Sequence, residues 1–246
     1  MIHYHGAPIT PLDVASAAWT ARHAFVSFES PDQVAFAAEI CQSFALDNGA
    51  YTKWQRGEGT VDVAAYVAFV KEWERHPAFD WAVIPDVIDG DEEANDLMFA
   101  AYHQAGGDLL AGVPVWHLHE SFERLGRLCR TWPRVALGSS GDYAEVGTPQ
   151  WWARMGAAMD FVCDEHGRPP CKLHGLRMLN PTVFSHLPLA SADSTNVAQN
   201  HWRERHLYQL TPKMGALKII DRIEQHASAP RWNRTYGTQF NMDLVG

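Results

Sequence analysis

Phe44-Ala45-Leu46-Asp47-Asn48-Gly49-Ala50-Tyr51 and, late in the chain, Leu189-Ala190-Ser191-Ala192-Asp193-Ser194-Thr195 share one pattern. A short apolar run of strand length stops at an aspartate, and turn-forming or helix-capping residues follow. A carboxylate at the end of a buried strand is costly to desolvate unless it is paired or used. Six further short apolar runs stop in the same way at polar or glycine residues. Together they predict strands over residues 2–5, 23–28, 44–47, 81–86, 112–118, 134–138, 171–175 and 189–193.

Helical stretches alternate with these runs. Ser30-Pro31-Asp32 opens a helix through Cys41, with Ser30 as N-cap and Pro31 at the first position. Residues 61–75 have helical period and end before Pro77. Residues 91–105 begin with an acidic first turn and stop at Gly106-Gly107. Helices over 120–130 and 149–164 and a short one over 180–186 complete the set.

This alternation predicts an α/β fold, a (β/α)8 TIM-like barrel of parallel strands. The length of 246 residues is close to the roughly 250 usual for one such barrel. An open doubly wound sheet is the alternative, but no GxGxxG follows the first strand. The chain reads as a single domain, 1–246, with the barrel over about 1–195 and a basic, aromatic C-terminal extension over about 196–246. That extension holds a predicted helix, 212–226, and Pro230-Arg231-Trp232-Asn233-Arg234-Thr235-Tyr236.

With 46% hydrophobic and 20% charged residues, the chain has the make-up of a globular protein with a core. No apolar run approaches the ~20 residues of a membrane span, so no membrane partner is expected. Met1–Gly6 shows no basic segment leading into an apolar one, so no signal peptide is expected and a cytoplasmic location is. Cys41, Cys129, Cys163 and Cys171 are far apart and form no CxxC, which argues against a zinc knuckle or a disulfide scaffold. The net charge of −9 is unevenly spread. Residues 1–121 carry 5 Lys+Arg against 18 Asp+Glu, whereas residues 122–246 carry 15 against 11. The C-terminal part has the charge to hold a phosphate backbone, or a solvated surface with chance asymmetry.

In such a barrel the site lies at the C-terminal ends of the strands. Here these ends read Gly6, Glu29, Asp47, Asp86, His117 with His119, Gly138-Ser139-Ser140, His174-Gly175 and Asp193. Asp47 with Asn48-Gly49 is a ligand-facing carboxylate or an Asx-type turn. Asp86 follows Ile84-Pro85, as a strand end does, while Asp89, Asp91, Glu92 and Glu93 read as a solvated helix start. Gly138-Ser139-Ser140-Gly141 offers backbone N–H groups to a planar or anionic ligand. Asp193 is a site residue or a helix cap. His117, His119, His174 and Asp193 form a candidate metal set for a hydrolase acting on a small molecule, although alternating histidines on a strand point to opposite faces.

The ordered set Asp-Asn-Gly-Ala-Tyr (47–51), Ile-Pro-Asp-Val (84–87), Ala-Leu-Gly-Ser (136–139), Leu-His-Gly-Leu (173–176) and Ser-Ala-Asp-Ser-Thr (191–195) resembles the tRNA-guanine transglycosylase superfamily. Those enzymes are (β/α)8 barrels that exchange a guanine in nucleic acid for a 7-deazaguanine. The resemblance spans roughly residues 44–200 and implies Asp193 as nucleophile at the sugar C1′ and Asp47 as general acid/base. It implies Asp86 for the base edge, Gly138 and Ser139 as backbone donors, and Tyr51 stacking on the base. Asn48, Gly49, His117, His174 and Gly175 would line the pocket.

No cysteine follows Cys171, so the late zinc site of the tRNA enzymes has no counterpart and no cofactor or metal is expected. The short, zinc-free chain is most similar to the compact DNA 7-deazaguanine transglycosylases of bacteria and bacteriophages. This implies DNA as substrate and 7-cyano-7-deazaguanine or a relative as incoming base. It also implies other 7-deazaguanine-pathway enzymes as partners, and a bacterial host cytoplasm as the setting of a phage-encoded form. A DNA target must leave the base stack, and Trp202, Trp232 and Tyr236 are candidates for holding the opened strand or simply pack the tail. The tRNA-acting enzyme is the first alternative, and the metal-dependent barrel hydrolase the second.

Overall fold

The structure, a computed structural model, describes residues 1–234, apart from the side chains of residues 204–208. Tyr236, one of the candidate stacking residues, lies outside the described residues. Nine strands, β1 Ile2–Gly6, β2 His23–Ser27, β3 Ser43–Asp47, β4 Phe79–Val83, β5 Gly112–Val113, β6 Val115–His117, β7 Arg134–Gly138, β8 Lys172–Gly175 and β9 Ser191–Ser194, form one sheet. Its order is β5-β4-β3-β2-β1-β9-β8-β7-β6, and every pairing is parallel.

The two ends of this sheet, β5 and β6, are separated in sequence by Pro114 alone, so the sheet curls into a nearly closed barrel. Before Pro114 the chain pairs with β4 (Ile84 N–H to Val113 O, 2.9 Å); after it, with β7 (Leu118 N–H to Gly138 O, 3.0 Å). Proline has no N–H to give to either neighbour. This is why the predicted strand 112–118 appears as two short pieces. The predicted strand 81–86 likewise ends at Val83, just before the Ile84-Pro85 step.

Helices lie between the strands: α1 Leu12–Trp19, α2 Val34–Ile40, α3 Ala50–Arg56, α4 Val63–Trp73, α5 Glu92–Gln104, α6 Phe122–Thr131, α7 Pro149–Val162, α8 Pro181–Phe184, α9 Asn196–Tyr208 and α10 Pro212–Glu224. Asp62, Asp91, Ser121, Thr148 and Thr211 each accept a hydrogen bond from a backbone N–H in the first turn they cap. Each such cap contributes about 1 kcal/mol. The predicted helix from Ser30 begins instead as one 3-10 turn, Pro31–Gln33, and Ser30 makes no cap bond. Helices α1, α3 and α9 were not legible: the first two are single short segments, and α9 is polar at most positions with no apolar period.

The strands separate two cores. Tyr4, Phe25, Ala45, Trp81, Val83, Val113, Val115 and Ala136 fill the barrel interior. Their sequence neighbours, such as Ala24, Val26, Phe44, Leu46, Val135 and Leu137, face the helices in a larger outer core. At the strand starts, Arg134 lies 3.5 Å from Asp80, whose carboxylate accepts from the Tyr4 hydroxyl at 2.5 Å, closing the floor of the barrel.

Residues 196–224 belong to the helical layer and are not an appendage. Helix α10 packs on α1 and α9 and buries Ala216, Ile219, Ile220 and Ile223; Glu224 accepts from Arg22 Nε at 2.7 Å. Trp232 is buried too. Its indole donates to Asp160 Oδ1 (2.7 Å) and its backbone N–H to Gly167 O (2.7 Å). Residues Ser228, Ala229 and Pro230 lie with Pro133, Pro170 and Lys172, at the N-terminal ends of the strands. Among the described residues no helix is long and apolar enough to cross a membrane.

Candidate active site

Because all strands run parallel, their C-terminal ends open on one side, and a cavity of about 500 Å3 lies there. Of the residues singled out from sequence, Asp47, Asn48, Tyr51, Asp86, His117, Gly138, Ser139 and Asp193 line it. Gly49, His174 and Gly175 do not. Gly49 shapes the turn under the cavity, His174 sits beneath Asp193, and Gly175 leaves room for Met178.

Asp47 ends β3. Its Oδ2 accepts from Gly49 N–H (3.1 Å), so the Asx-type turn is present in addition to the exposure of the carboxyl to the cavity. Burial pushes the Asp47 carboxyl up to about 7, and the nearby charges of Asp193 and Asp86 push the same way; Gly49 N–H and Ser27 oppose. A carboxyl in this range exchanges protons readily at neutral pH.

Gly49 starts α3 with φ +79°, a left-handed conformation, and a Cβ there would lie 2.6 Å from Glu29 Cγ. Glu29 in turn holds α3 through Lys53 (3.6 Å) and Arg56 (3.5 Å). Gly49→Ala is therefore expected to cost about 1–3 kcal/mol through φ > 0 and the clash. Urea unfolding checks this, and a wild-type midpoint would contradict the close approach.

Asn48 lines the cavity, but its amide is committed internally. Nδ2 donates to Ile84 O (2.9 Å) and Asp86 Oδ1 (2.7 Å), and Oδ1 accepts from Ala50 N–H (2.7 Å). It positions Asp86 and is not a free ligand-binding group. Asp86 Oδ2 lies 2.8 Å from His117 Nε2. His117 fits because Gly138 has no side chain: a Cβ there would come within 2.9 Å of His117 Nδ1.

Asp193 Oδ1 takes two donors, His174 Nε2 (3.2 Å) and the Arg177 backbone N–H (3.0 Å). His174 is fully buried, and desolvation lowers its pKa against the opposing pull of Asp193, so the ring is neutral near pH 7. The Ser139 hydroxyl accepts from Trp151 Nε1 of α7 (2.9 Å).

Arg177 is the main residue that sequence reading missed. It is non-glycine at φ +60°, donates to Ser139 O, and sets its guanidinium 4.0 Å over the Tyr51 ring. One face of the Tyr51 ring, the side chain expected to stack on a base, is thus covered by a planar cation. Nothing in the run Gly175-Leu176-Arg177-Met178 announces a positive φ, so no local signal was available. Ser27, Thr52, Gln55, Thr195 and Gln199 also line the cavity. Trp54 of α3 and Trp202 of α9 are exposed on helices that contribute to its rim.

The candidate metal set does not converge. His119 Nδ1 pairs with Ser140 Oγ (2.8 Å) and its Nε2 with Gly90 O (2.9 Å), while His174 is spent on Asp193 and Ser191. Among the described residues no group of three or more His, Cys, Asp or Glu side chains is arranged to hold a metal ion.

Comparison with protein-family models, curated proteins and solved structures gives no match. What defines the site is therefore its own geometry, three carboxylates around one cavity at the C-terminal mouth of a parallel barrel.

Proposed function

We propose that the protein is a base-exchange transglycosylase that replaces guanine in DNA by a 7-deazaguanine, such as 7-cyano-7-deazaguanine, through a covalent aspartyl-sugar intermediate. The observation that carries this reading is the grouping of Asp47, Asp86 and Asp193 on one cavity, with the Asp47 carboxyl raised to about 7. In the same reading, β5 and β6 count as one strand interrupted by Pro114, and the barrel is a (β/α)8 TIM-like barrel.

The chemistry follows from these groups. The free oxygen of Asp193 attacks C1′ as the bond from C1′ to the guanine nitrogen breaks, with the electron pair leaving on the base. Asp47, protonated, gives its proton to the departing guanine. The resulting Asp47 carboxylate then takes the N9 proton of the incoming 7-deazaguanine, whose nitrogen attacks C1′ and expels Asp193. A carboxyl near 7 serves both half-reactions because both protonation states are populated at neutral pH. Asp86 accepts from the N1–H and exocyclic amine of the base, and the exposed Trp54 and Trp202, on helices that contribute other residues to the cavity, are suited to neighbouring bases of an opened strand.

The test is release of labelled guanine from DNA and, separately, from RNA in the presence of excess 7-cyano-7-deazaguanine. Release from DNA alone is the expected result. Release from stem-loop RNA alone would replace DNA by tRNA, and release from neither would end the exchange reading.

A further inference from the structure

Beneath Asp193 lies a chain of side chains that the exchange chemistry does not itself require. Strand β8 pairs with β9 so that His174 stands opposite Ser191. Ser191 and Asp193, two residues apart on β9, turn the same face toward the His174 ring. His174 Nδ1 is 2.9 Å from Ser191 Oγ, and its Nε2 is 3.2 Å from Asp193 Oδ1. The ring is wedged among Trp81 (centroids 4.7 Å apart), Phe25 (5.6 Å) and Tyr4 (6.0 Å). Serine, histidine and aspartate are the members of a hydrolase triad, but the exposure is reversed. Ser191 and His174 are wholly buried and do not line the cavity, whereas Asp193 does. A hydroxyl sealed in this way cannot reach a substrate, so the reacting end is the carboxylate.

Tautomer logic then fixes the direction of the relay. A carboxylate accepts only, so Nε2 must carry the proton; Nδ1 is then bare and accepts from the Ser191 hydroxyl. With the Arg177 N–H as second donor, Oδ1 is held twice, while Oδ2 has no hydrogen bond from the described residues. We infer that Ser191 and His174 are positioning residues that lock the Asp193 carboxylate, so that Oδ2 alone is presented to the cavity as the attacking oxygen. The inference deepens the proposed exchange reaction and rests on that reading for its chemical purpose, but its geometry can be tested without it.

Two measurements separate the possibilities. In protein labelled with 15N-histidine, the ring nitrogens of His174 should report the neutral Nε2–H tautomer, assigned by loss of its signals in His174→Gln. An Nδ1–H tautomer would overturn the relay whatever the reaction proves to be. In single-turnover capture of guanine-containing DNA, folded His174→Ala should form the covalent adduct about 10–100-fold more slowly, the loss expected for one hydrogen bond to a charged group, with DNA affinity within about twofold. His174→Gln, whose amide supplies an N–H, should recover part of that loss, and Ser191→Ala should lose less than His174→Ala. Wild-type adduct rates in a folded His174→Ala protein would overturn the positioning role. Absence of any adduct with the wild-type protein would instead remove the exchange reading and leave the tautomer result to decide the relay.

Discussion

Asp193→Asn is expected to abolish covalent capture of nucleic acid and to lower guanine exchange by about four orders of magnitude, the scale seen when a nucleophile is removed. The fold should survive. An asparagine Oδ1 can still accept from the Arg177 N–H and from His174 Nε2–H, the two donors that hold the native carboxylate. Urea unfolding should therefore place this variant within about 1 kcal/mol of wild type. Asp193→Ala removes the acceptor altogether and leaves a buried imidazole N–H without a partner, at a cost of about 1–3 kcal/mol. The pair of variants separates chemistry from stability, since both are inactive and only one is destabilised. A denaturation-resistant DNA adduct formed by Asp193→Asn would sink the assignment of the nucleophile.

The second large effect is at Asp47, where activity and stability should move in opposite directions. Its carboxyl ordinarily titrates at 3.8 and in the fold near 7. The folded protein thus binds this proton more tightly than the unfolded chain does. Below about pH 4 both states hold the proton, and the group costs nothing. As pH rises from about 4 to about 7, the unfolded chain releases the proton first, and stability falls. Above 7 the penalty is constant. A fully sealed carboxyl with this displacement would cost about 4 kcal/mol. Asp47 is partly accessible through the cavity, so about 2 kcal/mol is the expected scale.

Asp47→Asn should therefore be more stable than wild type by ~2 kcal/mol at pH 8, with the gain shrinking to nothing near pH 4. The same variant, and Asp47→Ala, should lose nearly all exchange, because the departing guanine no longer receives a proton. Denaturant titrations at the two pH values measure the first effect and guanine release the second. A stability difference independent of pH would show that burial of the Asp47 charge is not what the fold opposes. Full turnover with normal adduct levels in Asp47→Ala would remove its acid/base role. A site residue that weakens the protein when ionised is the kind of trade expected of a carboxyl kept for chemistry.

Much of the frame was legible because its signals are local. Strand runs ending at Asp47, His117, Gly138, Gly175 and Asp193 depend on β-propensity and turn chemistry within a few residues. So do the caps at Asp91 and Thr148, which lie within one residue of the predicted helix starts. Pro114 illustrates a partial reading: the apolar run 112–118 was visible, but its division between two neighbours follows from which strands flank it. Helix α9 was missed because a mostly polar segment has no apolar period. Composition alone leaves the tail open between a nucleic-acid grip and packing onto the barrel. Arg231, Trp232 and Arg234 suggest a nucleic-acid grip by composition, yet Trp232 packs beneath α7, and residues 228–230 cross the opposite end of the barrel.

Local patterns were enough for a parallel α/β architecture with a ring of polar strand ends on one side and four candidate carboxylates in it, of which Glu29 instead turns to Lys53 and Arg56. What each carboxylate experiences depends on the assembled barrel. The raised Asp47 carboxyl needs the burial that the folded barrel imposes, reinforced by the charges of Asp193 and Asp86, respectively 146 and 39 residues away in sequence. The Asp193 clamp needs the β8–β9 register that sets His174 against Ser191, and a left-handed turn at Arg177. Arg177 reaches Tyr51 across the cavity mouth only once the barrel has nearly closed. Turn and strand preferences act between chain neighbours, whereas desolvation, charge coupling and donor alignment act through space. Their outcome is set by register and closure, which no single segment encodes.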